Sequence, residues 1–304
     1  MTDLKFKPVE AEDMKLLAPY FGLRPNKTCD SVPLDSFIWR KYYHVQYAIH
    51  ENKALLWLMR EDGIMHSAMP LCKEEDLKKY FDMTVEYFNQ VLHIPLKIYL
   101  ADEEAVEYLH LKESDDFVVT EQVDLKDYLY DGEAMRKLSG KKLHKKKNHL
   151  NAFLKEYEGR YEFRRLCCSD RDDVWCFLDR WRAGKGDEVE QHLDYEVEGI
   201  HEILRQCLEL DIRMSGVYID GKLEAFTIGS YNPTENMAVI HIEKAEIRGL
   251  YQFINQQFLI QEFPDVTLVN REDDLGQEGL RHAKMSYNPC GFARKYLVQQ
   301  KNFK

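Results

Sequence analysis

The stretch AVIHIE, residues 238–243, puts an imidazole and a carboxylate two residues apart. Side chains alternate across a strand, so Val239, His241 and Glu243 are expected on one face, with Ala238, Ile240 and Ile242 on the other. On a shared face, His241 and Glu243 suit a base and its orienter, or two groups gripping an amine. The bland counterpart is a core histidine bonded to its neighbour. A second group follows the short apolar strand VTLVN, where Asn270, Arg271, Glu272, Asp273 and Asp274 arrive without a break. Asp274 with Gln277 three residues on fits an N-cap and capping box, which leaves Asn270, Arg271 and Glu272 without a local explanation. Arg271 carries the planar fork that holds a carboxylate or phosphate. Glu272 suits a cationic amino-acid group, or a pairing with Arg271. Arg281 and Lys284 lie three apart on the helix that follows, commonly a solvated pair, and Lys284 is retained as a substrate-contact candidate.

A third group is basic. Lys141, Lys142, Lys145, Lys146 and Lys147, with His144 and His149, surround a helix whose buried side is Leu143, Leu150, Phe153, Leu154 and Tyr157. A charge run usually marks a solvated face. Here its sign opposes a formal net charge of -11, so phosphate or RNA contact through these lysines is the functional expectation. The same acidic total argues against a chain whose whole surface binds nucleic acid.

Other chemistries find no support. HEILR (201–205) has Arg where a zinc-protease helix needs its second histidine, AGKG (183–186) lacks the phosphate-loop spacing, and no GxSxG elbow occurs. The seven cysteines are scattered, with no CxxC pair, and read as free buried thiols. No metal site is expected. No apolar run approaches the roughly 18 residues of a membrane span, and MTDLKFKPVE has no signal-peptide core, so a cytoplasmic chain is expected.

The elements that must position these groups come in a repeated order. A strand over 2–9, a helix, and a meander over 43–71 with turns at HENK and REDG lead into a long amphipathic helix, LKIYLA, DEEAVEYLHL and DFVVTEQVDL. The second half runs from YEFRRL through two helices, a meander with turns at DGK and NPTEN, the helix YQFINQQFLIQEF, VTLVN, GQEGLRHAK and RKYLVQ. Two similar α+β domains are expected, at 1–130 and 159–304, joined by a basic helical connector at 131–158. A doubly wound sheet is disfavoured because meanders require antiparallel neighbours.

This order resembles the GNAT acyltransferase fold, the acyl-CoA N-acyltransferase-like architecture. LSGKKLHKKKNHLNAF, AVIHIEKAEIRGLYQFINQQF and LVNREDDLGQEGLRHAKMSYNP resemble motifs of a bacterial family related to the C-terminal domain of phosphatidylglycerol lysyltransferases. The resemblance implies two tandem GNAT-like domains with mixed central sheets flanked by helices. It also implies an acyl- or aminoacyltransferase whose donor is an aminoacyl-tRNA or a thioester such as acyl-CoA, and whose acceptor is an amine or hydroxyl. On that template Glu243, aided by His241, is the base, and Tyr287 stands where such enzymes often place an acid. Arg248, Gly249 and Tyr251 fall in the phosphate-loop position. Only Gly249 survives of the glycine pattern expected for coenzyme A, which favours a different donor. The N-terminal domain shows no glycine-bearing loop after its meander and is expected to lack a donor site of its own. Two alternatives stand beside this reading: a non-catalytic RNA- or metabolite-binding protein, and a CoA-dependent N-acetyltransferase.

Overall fold

The computed structural model describes residues 4–184, 191–301 and 303. The start of the strand expected from residue 2, and Lys185 and Gly186 of AGKG, lie outside them. The chain divides into two compact units, 1–127 with 293–304, and 128–292.

In the first unit, β1 (Lys7–Pro8), β2 (Gln46–His50), β3 (Ala54–Glu61) and β4 (Ile64–His66) form an antiparallel sheet in that order. Its turns fall where the sequence placed them, with Glu51, Asn52, Asp62 and Gly63 all at positive φ. β5 (Lys97–Asp102) and β6 (Phe117–Glu121) flank the last strand of the chain, β14 (Lys295–Gln300), in a second sheet. One parallel bridge, Ser67 to Ile98, joins the two sheets. The helices are α1 (Met14–Phe21), α2 (Pro33–Ile38), α3 (Leu77–Glu86) and α4 (Glu103–Tyr108). Leu77, Tyr80, Phe81 and Phe88 from and after α3 meet Ile98, Tyr296 and Val298 in one core.

The second unit holds a seven-stranded sheet in the order β13-β7-β12-β11-β10-β9-β8. Its strands are β7 (Asp127–Asp131), β8 (Tyr161–Arg165), β9 (Arg213–Ile219), β10 (Lys222–Asn232), β11 (Met237–Ala245), β12 (Leu268–Asn270) and β13 (Gly291–Ala293). β8 to β11 form an antiparallel meander, and β11 and β12 run parallel from Met237/Leu268 to Val239/Asn270. The helices are α5 (Gly132–Lys137), α6 (His144–Glu156), α7 (Arg171–Ala183), α8 (Gln191–Gln206), α9 (Leu250–Glu262) and α10 (Glu278–Met285). Met135, Leu150, Phe153, Phe253 and Phe258 from α5, α6 and α9 pack on Ala225, Ala238, Ile240 and Ala245. On the other face Phe177 of α7 meets Phe226, and Lys244 pairs with Glu196 of α8.

The units differ from the expected boundaries. The supposed connector at 131–158 is part of the second unit's core, because Leu150 and Phe153 bury its apolar side there. Residues 293–304 belong to the first unit, because β14 pairs with β5 and β6. The cysteines also differ. Cys168 and Cys207 form a disulfide across a separation of 39 residues, while Cys167, Cys176 and Cys290 are exposed. The folding of α7 and α8 into neighbours brings the paired thiols together, which spacing along the chain does not reveal.

Among the described residues, no helix is long and apolar enough to cross a membrane.

Candidate active site

The parallel pairing of β11 with β12 ends at Val239 and Asn270, and beyond it the ladder opens, with β11 running on to Ala245 while β12 ends. How those residues are aimed depends on one irregularity. Ile228 faces Ile242 across the ladder, but its neighbour Gly229 faces Ile240, so His241 is an extra residue in β11. Such a bulge rotates the strand beyond it. Glu243 therefore stands opposite Thr227 on the face that carries α9, with Ala245 opposite Ala225. His241 keeps to the other face, where its Nε2 lies 3.2 Å from Ser230 Oγ, a residue paired with Val239. The expectation of one shared face for His241 and Glu243 is thus corrected, because alternation holds only for a regular strand.

Glu243 is held from two sides. Its Oε1 accepts from Arg271 Nη2 at 2.9 Å and its Oε2 from Asn255 Nδ2 at 2.7 Å. Asn255 is a buried polar residue within the apolar face of α9, and its Oδ1 has no partner. Arg271 lies 4.8 Å from the ring centroid of Tyr287 and 5.9 Å from that of Tyr130. Burial works against its charge, but Glu243 and the two phenols outweigh it, and the guanidinium is held above its ordinary pKa. One terminal nitrogen, Nη1, is buried without a hydrogen-bond partner.

Tyr287 is buried, and burial raises its phenol above the ordinary value, so at neutral pH it keeps its proton. Its oxygen accepts from Gln252 Nε2 at 2.9 Å. Tyr130 donates to the Lys284 carbonyl at 2.9 Å, and burial raises its pKa also. Tyr251, on the first turn of α9, is raised chiefly by burial.

The remaining candidates build the loop. Asn270 is fully buried, and its Oδ1 accepts from the Glu272 amide at 2.7 Å. Glu272 sits at φ 57°, and its Oε1 is 2.9 Å from His241 Nδ1. Tyr128 fastens the loop to β7, its amide donating to the Glu272 carbonyl and its carbonyl accepting from the Arg271 amide, each at 3.1 Å. Lys284 donates to the Arg271 carbonyl at 2.6 Å and to the Asp273 carbonyl, which makes it a loop clamp. Asp274 is not the expected cap, since the N-cap of α10 is Gln277 without a side-chain bond. Instead Asp274 takes Arg281 at 2.9 and 2.8 Å, the Gly276 amide and the Tyr128 hydroxyl. Those donors, Arg281 first, hold its carboxyl down to about 2.

Gly249 has a packing explanation. It caps α9 at φ 85°, and a Cβ there would lie 2.4 Å from the His149 carbonyl oxygen and 2.9 Å from Phe153 Cβ. Left-handed backbone and the close approach of α6 both demand glycine. Arg248 is exposed and donates to His149 Nδ1 at 3.2 Å. The basic run divides: Lys141, Lys142, Lys145 and Lys147 are exposed, whereas Lys146 is half-buried with its ammonium 4.2 Å from the Tyr287 ring centroid. The structure therefore brings together Glu243, Arg271, Tyr287 and Lys146, adds Asn255, Gln252 and Tyr130, and sets His241 and Glu272 on the other face. Asn255 was legible as an Asn within the apolar repeat of YQFINQQFLIQEF.

The fold has counterparts in solved structures. A conserved protein of unknown function from Bacteroides thetaiotaomicron is 25% identical with a TM-score of 0.89, over 98% of this chain and 100% of that one. The structure of L-PGS from Bacillus licheniformis matches at 16% identity and a TM-score of 0.70, over 98% of this chain and 95% of that one. An uncharacterised protein of Mycoplasmoides gallisepticum is 23% identical over 88% of this chain and 90% of its own length. The fold is a mixed α+β, GNAT-like one. The family model described as phosphatidylglycerol lysyltransferase, C-terminal, matches residues 30–299, and the chain belongs to that family.

Proposed function

We propose that the chain transfers an acyl or aminoacyl group to an amine or hydroxyl acceptor at the opening between β11 and β12. The family and fold support an acyltransferase-like reading. The observation that carries it to these residues is the half-buried Glu243–Arg271 pair at the strand ends, beside a phenol that retains its proton. In this reading the acceptor's nucleophile attacks the donor carbonyl and loses its proton to Glu243, which exchanges part of its bond with Arg271 for the acceptor. Arg271 then faces the developing oxyanion. The Tyr287 hydroxyl gives its proton to the departing oxygen or sulfur, and the proton on Glu243 restores the phenol. His241 and Glu272 position the loop from the other face.

An aminoacyl-tRNA is the donor we favour over acyl-CoA. Gly249 is accounted for by the approach of α6, so no glycine remains that a pyrophosphate alone explains. The exposed Lys141, Lys142, Lys145 and Lys147 supply charge for RNA phosphates. The test is single-turnover transfer from charged tRNA and from acetyl-CoA, with wild type and Glu243→Gln. The expected result is transfer from charged tRNA that falls by about 100-fold or more in the variant, equivalent to about 2.7 kcal/mol of transition-state stabilisation. Circular dichroism confirms that the variant remains folded. Turnover with acetyl-CoA alone would establish the N-acetyltransferase alternative. Glu243→Gln transfer at the wild-type rate would remove Glu243 from the chemistry.

A further inference from the structure

Lys146 is unused by that chemistry. Two cations approach the same aromatic ring: Lys146 Nζ lies 4.2 Å from the Tyr287 centroid and the Arg271 guanidinium 4.8 Å. Cation–π attraction to one ring does not neutralise them. Glu243 engages Arg271 through Nη2 alone, and Nη1 is buried without a partner. A buried donor left unmade costs about 1–3 kcal/mol, a cost that a protein tolerates where a ligand supplies the acceptor. Lys146 is half-buried, with its neighbours Lys145 and Lys147 turned to solvent. Its pKa is lowered by burial and then by the charge of Arg271, with no carboxylate raising it. Lys146, Arg271 and Glu243 together carry one excess positive charge around the Tyr287 ring, with an ammonium and a guanidinium N–H as available donors.

We infer that Lys146 and Nη1 of Arg271 form a subsite for an oxyanion group of a substrate, either a phosphate ester or a carboxylate. The location rests on the reading of this opening as the substrate site. Lys146 then differs in kind from the rest of the basic run. The exposed lysines meet RNA phosphates as a diffuse, salt-sensitive charge, whereas Lys146 holds one anionic group in a fixed place beside the reacting atoms. A guanidinium edge and an ammonium at one ring are the donors from which a tetrahedral phosphate or a planar carboxylate would take a bond each.

The experiment is isothermal titration of the full chain with adenosine 5′-monophosphate, glycine and adenosine. It uses wild type, Lys146→Met, which keeps the aliphatic contact with Tyr287, and Lys146→Arg. The expected result is that Lys146→Met weakens the anionic probe about tenfold or more, that Lys146→Arg restores it to within about threefold, and that adenosine is indifferent to both. A response confined to the nucleotide assigns the subsite to a phosphate ester, and one confined to glycine assigns it to a carboxylate. Equal binding of both anions by wild type and Lys146→Met overturns the inference, as does failure of wild type to bind either at millimolar concentration. These titrations need no turnover. Loss of transfer with intact Lys146-dependent binding therefore contradicts the transfer reading, and intact transfer with Lys146-independent binding contradicts the subsite.

Discussion

Each unit contains one parallel contact between a meander and the strand that follows its helix, and the ends of those strands are treated in opposite ways. In the first unit β5 ends in Asp102, which caps α4 through the Ala105 amide at 2.9 Å and receives both terminal nitrogens of Arg24 at 2.7 and 2.6 Å. Rings close the flank of the Ser67–Ile98 bridge, with His66 4.7 Å from Tyr99 and 6.0 Å from Tyr43. His66 is pushed down to about 4 by burial, so it packs as a neutral ring. In the second unit β12 ends in Asn270, and Arg271, next along the chain, gives only one of its terminal nitrogens to Glu243. At this position one unit carries a cap and a pair that uses both terminal nitrogens of Arg24, leaving only its Nε without a partner, and the other leaves a terminal nitrogen of Arg271 unused. Sealing serves stability, whereas an incomplete polar cluster serves a ligand.

The largest expected effect breaks the sealed end. Asp102→Ala removes a cap and strands Arg24 in the interior, and should cost about 3–5 kcal/mol in urea denaturation. The surviving folded molecules should bind the oxyanion probes as wild type does. Altered probe affinity would show that the first unit's strand end is not merely structural.

A smaller effect separates the loop's own scaffold from its working residues. The Asp274 carboxyl, held at about 2 by Arg281 and Tyr128, lies below its ordinary 3.8. A depressed carboxyl contributes stability that is complete above the unfolded value and is lost as pH falls through the folded one. Stability should therefore decline between about pH 4 and pH 2. Its size should be about 1 kcal/mol, allowing for solvent screening at the exposed Arg281 end. Denaturation midpoints of wild type and Asp274→Asn across that window should converge towards pH 2. A constant gap between them would assign the acid sensitivity elsewhere.

Much of this architecture was legible in the sequence. Turns such as REDG and DGK fix the meanders because Asp-Gly accepts positive φ, and the helices carry apolar faces at helical spacing. β7 was passed over. DYLYD buries Tyr128, Leu129 and Tyr130 together, so it lacks the alternation that marks a half-exposed strand. With β7 missing, the first domain was drawn to residue 130. β14 was seen as a strand but placed in the wrong sheet, since its partners lie about 170 residues or more away and local pattern carries no information on pairing. At the site, residue types pointed to His241, Glu243 and Arg271 and the family resemblance to Tyr287, but one extra residue at His241 puts His241 and Glu243 on opposite faces. Lys146 was visible only as one lysine among five, because a charge run does not say which member turns inward.

The central claim is that chemistry occurs at the second unit's opening and not at its counterpart. The most direct measurement is the single-turnover rate of aminoacyl transfer for Tyr287→Phe beside Tyr99→Phe. Both changes remove one hydroxyl and keep the ring. A loss of about 100-fold in Tyr287→Phe, with Tyr99→Phe within about twofold of wild type, is the predicted result. Wild-type transfer by Tyr287→Phe, or a comparable loss in Tyr99→Phe, would contradict it.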